Sequence, residues 1–194
     1  LVADQIHNLS DLVGSARSGE RKSLEELAAL FYEEIFRLVY HRTSSQMDAE
    51  DLTQEIFAEM SASLSRLREP ASFKPWLYRI ALNRVTDFHR KKRLRSFFRT
   101  RTPIEDIETS GNPHSPLDNL IEKEFWHQFH ELTRKMSGKE REIFTLRYVD
   151  QLQLKHIAET LRNSESSVKT HLYRALKKFK KASRFRTLLK GSVP

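Results

Sequence analysis

LRYVDQLQLKHIAETLRNSESSVKTHLYRALKKFKK, Leu146 to Lys181, holds two short amphipathic segments separated by a break in periodicity. In the first, Leu154, Ile157, Ala158 and Leu161 recur at helical spacing and give one apolar face. Arg162, Asn163 and Ser164 interrupt the pattern. Ser164 is suited to cap the next helix, with Ser167 three residues on where a Glu is usual. In the second segment Val168, Leu172, Ala175, Leu176 and Phe179 form a stripe that needs burial, while Lys169, Thr170, Tyr173 and Arg174 point away from it. A helix anchored along one side, with cations and hydroxyls on the other, suits a DNA major groove, where it touches phosphates and reaches base edges. The stretch reads as a helix-turn-helix. Any helical hairpin in a bundle could show the same pattern with its lysines as a solvated face, so the rest of the chain has to decide.

The chain has 194 residues, enough for one domain or two small ones, and a formal net charge of +8. That balance favours a polyanionic partner. Cations gather at Arg84 to Arg101 and at Lys169 to Lys190, whereas Glu20 to Glu59 and Glu105 to Asp118 are mostly acidic or mixed. Two separated basic zones suggest two contacts with one long polymer. Cysteine is absent, which excludes a disulfide framework, a thiolate metal site and a cysteine nucleophile, and fits a reducing cytoplasm. No apolar run approaches the roughly 20 residues of a membrane span. The opening LVADQIHNLSDLVGSARSGE lacks the basic start and apolar core of a secretory signal, and its first residue, Leu1, leaves room for residues ahead of it. Five glycines and few β-branched runs point to an all-α protein.

The first twenty residues predict a short helix broken by Gly14 and Gly19. From Ser23 to about Arg42, Leu24, Leu27, Leu30, Phe31, Ile35, Leu38 and Val39 predict an amphipathic helix, followed by a turn at Ser44, Ser45 and Gln46. A second helix opens at Asp48, with Ala49, Leu52, Ile56, Phe57, Met60, Leu64 and Leu67 on its apolar side. The other side carries Asp48, Glu50, Asp51, Gln54, Glu55 and Glu59. Acid in a first turn suits the helix dipole, but here it continues into the third turn, beyond the reach of the end charge. A partner surface and plain solvation both remain open, and a basic protein with one acidic face favours the partner.

After a loop at Arg68 to Ser72, Pro75 fits the first turn of a helix from Phe73 to about Arg95. Phe73, Trp76, Leu77, Ile80, Ala81, Val85 and Phe88 line its inner side; Trp76 and Phe88 keep register with the aliphatics and so belong to the core rather than to a base-stacking platform. Asn83 lies on the outer side of this cationic helix. An Asn and Arg pair there can grip an unstacked base and the strand backbone, although an ordinary surface Asn fits the residues alone better. From Ser96 to Asn119 periodicity vanishes, with turn formers at Thr102-Pro103, Gly111-Asn112-Pro113 and Ser115-Pro116. So long a polar stretch marks a domain boundary. Beyond it, Leu120, Ile121, Phe125, Phe129, Leu132 and Met136 predict one helix, and Ser137 with Glu140 a capping box opening the next. The expected domains are therefore 1–95, a flexible linker 96–119, and 120–186.

No Gly-rich phosphate loop and no nucleophile-and-base arrangement can be assembled, so no catalytic residue and no cofactor are expected. Glu124, His127 and His130 form a helical E-x-x-H-x-x-H, but with no third imidazole or thiolate nearby they read as surface residues and no metal is expected.

Three segments together resemble a bacterial RNA polymerase sigma factor of the extracytoplasmic-function (ECF) group of the sigma-70 family. They are DAEDLTQEIFAEM (Asp48 to Met60), FKPWLYRIALNRVTDFHRKKR (Phe73 to Arg93) and SGKEREIFTLRYVDQLQLKHIAETLRNSESSVKTHLYRALKK (Ser137 to Lys178), in that order on either side of the linker. The resemblance implies that Asp48, Asp51, Gln54 and Glu55 dock on core RNA polymerase. It also implies that Asn83, Arg84, Asp87, Arg90, Lys91 and Arg93 serve the −10 element, with Asn83 near a base flipped from the non-template strand and the Leu67 to Lys74 loop helping to form its pocket. Ser166, Ser167, Lys169, Thr170, His171 and Arg174 would face the −35 element, and the linker would thread towards the RNA exit path. The implied partners are core polymerase, promoter DNA (duplex at −35, melted at −10) and an anti-sigma protein, in some cases membrane-bound. The factor would be a monomer when free, cytoplasmic and nucleoid-associated, with catalysis left to the polymerase.

Four positions depart from the family pattern. Arg162 and Asn163 stand where a glycine and an apolar residue are usual, Gln153 replaces a small hydroxyl cap, and His171 replaces a common arginine. They bear on the −35 sequence rather than on the fold. The competing reading is a free-standing helix-turn-helix regulator of duplex DNA, which leaves the acidic helix of the first domain without a purpose.

Overall fold

The computed structural model of the chain describes residues 2–98, 129, 131 and 133–181. Among these residues every regular element is helical. The chain divides into two units, Leu1–Ser110 and Gly111–Pro194, each taken by itself below. The linker from residue 99 onward, the Glu124, His127 and His130 triplet, most of the helix expected from Leu120, and the tail after Lys181 lie outside the described residues.

The first unit is built from α1 (Val2–Arg17), α2 (Arg21–Thr43), α3 (Gln46–Ser63) and α4 (Phe73–Phe98), with short 3-10 turns at Leu64–Arg66 and Pro70–Ser72 between the last two. α1 runs straight through Gly14, contrary to the expected break. A glycine inside a helix costs only about 1 kcal/mol, and the neighbouring Val13 and Ala16 are buried against α2 and the 3-10 turns. Gly19, with φ +97°, does end the segment. At the junction of α2 and α3 the αL residue is Ser44 (φ 55°), and Ser45 caps α3 by accepting the Asp48 N–H at 3.3 Å, so α3 opens at Gln46 rather than at Asp48.

Leu27, Phe31, Ile35, Leu38 and Val39 of α2 meet Ala49, Leu52, Ile56 and Met60 of α3 and Phe73, Leu77, Ala81 and Val85 of α4, all buried. Phe31 and Phe73 pack edge to face, with ring centroids 5.2 Å apart. Several expected core residues are less buried than their spacing suggests. Leu30 is 58% exposed, because a helix as broadly apolar as α2 offers more candidate positions than its packed face can hold. Trp76 and Phe88 are half-buried. Tyr78, absent from the expected stripe, is fully buried instead; its hydroxyl donates to Glu34 Oε2 at 2.9 Å, and Lys74 Nζ lies 2.7 Å from the same oxygen. That bond satisfies the phenol and lets its ring enter the core.

The second unit comprises α5 (Gly138–Tyr148), α6 (Leu154–Leu161) and α7 (Glu165–Lys181), with Phe129, Thr133 and Met136 buried beside them. Phe144 is central: its ring lies 6.1 Å from Phe129, 4.8 Å from Tyr148 and 5.3 Å from Phe179. The capping box at Ser137 and Glu140 forms in both directions, with Ser137 N–H donating to Glu140 Oε2 at 2.8 Å and Glu140 N–H to Ser137 Oγ at 3.3 Å.

Candidate nucleic-acid interface

In α7 the buried stripe is Val168, Leu172 and Ala175, with Leu176 and Phe179 half-buried. Ser164 Oγ accepts the Ser167 N–H at 3.2 Å, fixing the start of the helix. The opposite face shows Ser166, Lys169, Thr170, Tyr173, Arg174 and Lys177 exposed. Lys169 Nζ is 3.8 Å from Glu165, a loose i,i+4 pair, and Thr170 Oγ1 donates back to the Ser166 carbonyl at 2.9 Å, leaving its lone pairs outward. Ser167 and His171 lie at the edge of this face and are half-buried, and His171 Nδ1 is turned inward without a hydrogen-bond partner. Tyr173, which the sequence places away from the buried stripe but outside the expected contact set, is 69% exposed at the middle of the face.

The turn before α7 keeps its geometry despite the missing glycine. Arg162 takes the left-handed conformation, φ 52° and ψ 44°, and the Asn163 N–H closes onto the Ala158 carbonyl at 2.9 Å. Gln153 occupies the N-cap of α6 with extended backbone but its side chain makes no capping bond.

In the first unit, α3 displays Asp51, Gln54 and Glu55 to solvent, with Asp48, Glu50 and Glu59 half-buried. On α4, Asn83, Arg90, Lys91 and Arg93 are exposed. The two surfaces are not independent. Arg84 turns onto α3, its Nε 2.6 Å from Glu59 Oε2 and its Nη1 3.4 Å from Glu55 Oε2. The bond to Glu59 is the chief reason its pKa is raised. Asp87 pairs with Arg90 at 3.1 Å. Three of the residues singled out for the −10 strand, Arg84, Asp87 and Arg90, therefore already have charged partners within the unit. Sequence reading missed Glu59 as one of them, since the contact depends on how α3 packs on α4.

Burial also sets one titration. His41, near the end of α2, has its pKa lowered to about 4, first by desolvation and then by Arg42 and Arg37. Among the described residues no group of three His, Cys, Asp or Glu side chains could hold a metal ion, and no helix is long and apolar enough to cross a membrane.

A helix-turn-helix with a cationic outer face, in a chain whose other unit sets an acidic helix beside a cationic one, defines a DNA-directed factor with a second binding surface. Residues 27–95 match the Sigma-70 region 2 family and residues 126–179 match Sigma-70, region 4. The RNA polymerase sigma factor YlaC of Bacillus subtilis is 31% identical over 166 residues, covering 83% of this chain and 92% of that protein. The ECF RNA polymerase sigma factor BldN of Streptomyces coelicolor is 26% identical over 170 residues; the match covers 87% of this chain but 63% of BldN. In fold, the chain resembles the sigma factor RpoE of Bartonella quintana, solved in complex with the anti-sigma factor NepR, with a TM-score of 0.62 at 18% identity over 82% of this chain and 96% of that one. The chain belongs to the RNA polymerase sigma factors of the sigma-70 family, in their ECF group, and acts in transcription initiation.

Proposed function

We propose that residues 1–95 bind core RNA polymerase and the −10 element, that 96–119 form a linker, and that 120–186 bind the −35 element. The observation that carries this reading is the pair of unlike faces in the first unit: exposed Asp51, Gln54 and Glu55 on α3, and exposed Asn83, Arg90, Lys91 and Arg93 on α4. An acidic helix in a basic protein is repelled by DNA and suits a basic protein partner. Together with Asp48, its residues dock on the polymerase. The cationic helix suits a separated strand, with Arg90, Lys91 and Arg93 on phosphates and Asn83 on an extruded base. Extruding a base costs a few kcal/mol of unstacking, which phosphate contacts must offset. Arg84 joins these contacts after it leaves its carboxylate partners, and Asp87 sets the position of Arg90.

In the second unit Lys169, Thr170 and Arg174 reach −35 base edges and phosphates, with Ser166 and Ser167 at the helix start. His171 serves this face from its edge. Nucleotide chemistry is left to the polymerase, and the chain works in the cytoplasm on the nucleoid. Control by an anti-sigma factor is part of the proposal; exposed Leu30, Met47 and Leu94 offer such a protein apolar contacts. The test is promoter opening by the chain with core polymerase. Asn83→Ala should reduce opening while leaving core binding intact, and equal loss of both removes Asn83 from the base-binding role.

A further inference from the structure

Glu55 and Glu59 stand one helical turn apart on α3 and share one guanidinium, that of Arg84 on α4. The three side chains are between 37% and 54% exposed, so solvent and ligands can reach them. Glu55 belongs to the surface proposed for the polymerase and Arg84 to the surface proposed for the −10 strand. Glu59 belongs to neither, yet it makes the shorter contact, 2.6 Å against 3.4 Å. One cation between two anions carries net negative charge, and Asp87 adds to the field at Arg84 although its own carboxylate pairs with Arg90. In this arrangement the cluster as a whole repels a phosphate, although Arg84 itself is cationic.

We infer that Glu59 is a positioning residue that holds Arg84 away from nucleic acid in the free chain, and that polymerase docking, by engaging Glu55, loosens this hold and frees Arg84 for the separated strand. The inference rests on the proposed placement of polymerase on α3 and of DNA on α4. When Glu55 turns to a basic partner, Arg84 faces one carboxylate instead of two, and a phosphate oxygen can replace the remaining one. Linkage makes the effect reciprocal: a strand that takes Arg84 releases Glu55 and strengthens polymerase binding by the same factor.

The test is fluorescence anisotropy of a labelled oligo-dT strand with the full chain, comparing wild type with Glu59→Gln, Glu55→Gln, Arg84→Gln and Glu59→Gln/Arg84→Gln. Glu59→Gln should bind several-fold tighter than wild type, with the logarithmic salt slope steeper by about 0.7, as one further phosphate contact requires. Glu55→Gln should give a smaller gain in the same direction. The gain from Glu59→Gln should vanish in the Arg84→Gln background. An equal gain with and without Arg84 would reflect only the lost negative charge and would overturn the inference, as would no gain at all in a variant whose thermal melt matches wild type. The underlying placement of DNA is checked separately: in the complex with core polymerase, Arg84→Gln should lower promoter affinity, and no loss there would overturn the −10 role of Arg84 itself.

Discussion

Lys178, near the end of α7, places its Nζ 2.5 Å from Glu140 Oε2, the carboxylate that closes the capping box at the start of α5. The two residues lie 38 positions apart, and the contact ties the last turns of α7, the helix proposed to face DNA, to the helix beneath it. Glu140 is buried while Lys178 is partly exposed. The carboxylate accordingly depends on Lys178 and the Ser137 N–H for its solvation.

Lys178→Met should destabilise the second unit by roughly 1–3 kcal/mol, because it leaves a buried carboxylate with one partner fewer. The bond to Lys178, then that to Ser137, holds the Glu140 pKa below its ordinary 4.5. A depressed carboxylate pKa contributes stability above 4.5 that is lost as pH falls through the folded value. Urea unfolding at pH 7 and pH 4 should show this loss in wild type and a smaller one in Lys178→Met. An unchanged midpoint in the variant would dismiss the tie.

His41 acts over a higher window. Its pKa falls from 6.5 to about 4 on folding, so between those values the unfolded chain takes up a proton that the folded one refuses. Stability should drop as pH is lowered from 6.5 to 4, by roughly 3 kcal/mol at most. Urea midpoints of the first unit across that range should flatten in His41→Gln. An equally steep dependence in the variant would assign the effect elsewhere.

Arg162→Gly should stabilise the second unit by up to about 1 kcal/mol. The left-handed conformation costs a residue with a Cβ about 1–2 kcal/mol, of which the greater freedom of glycine in the unfolded chain takes back a part. The thermal midpoint is the measurement; a fall would mean that the Arg162 side chain contributes a contact outweighing its backbone strain.

Lys169→Ala and Arg174→Ala should each lower affinity for a −35 duplex by about 1–3 kcal/mol where they touch bases, with a smaller effect and a shallower salt slope where they touch only phosphate. Footprinting and titration at two salt concentrations separate these cases. A variant with unchanged affinity and footprint removes that residue from the contact surface.

Much of the fold could be read from local signals. The α7 stripe, the Ser164 cap and the Ser137–Glu140 box are written within a few residues each, where periodicity and capping chemistry act. α1 continues through Gly14 because propensity is weak beside the burial of Val13 and Ala16. Leu30 and Tyr78 exchanged roles because period alone cannot choose among adjacent apolar positions, and the partner that makes Tyr78 buriable, Glu34, lies 44 residues away. The same holds for the candidate interface. Exposure of Lys169, Thr170 and Arg174 follows from their own helix, whereas the pairing of Arg84 with Glu59 and the inward Nδ1 of His171 depend on tertiary packing.

The proposed function requires α3 to be a polymerase-docking surface. Co-elution of the purified chain with bacterial core RNA polymerase, with Asp51→Arg alongside, measures this directly. The wild-type chain should elute with core enzyme and the charge reversal should abolish it, since Asp51 is exposed at the centre of the acidic row. Failure of the wild-type chain to bind core enzyme, together with tight binding to duplex DNA alone, would contradict it and leave a free-standing helix-turn-helix regulator.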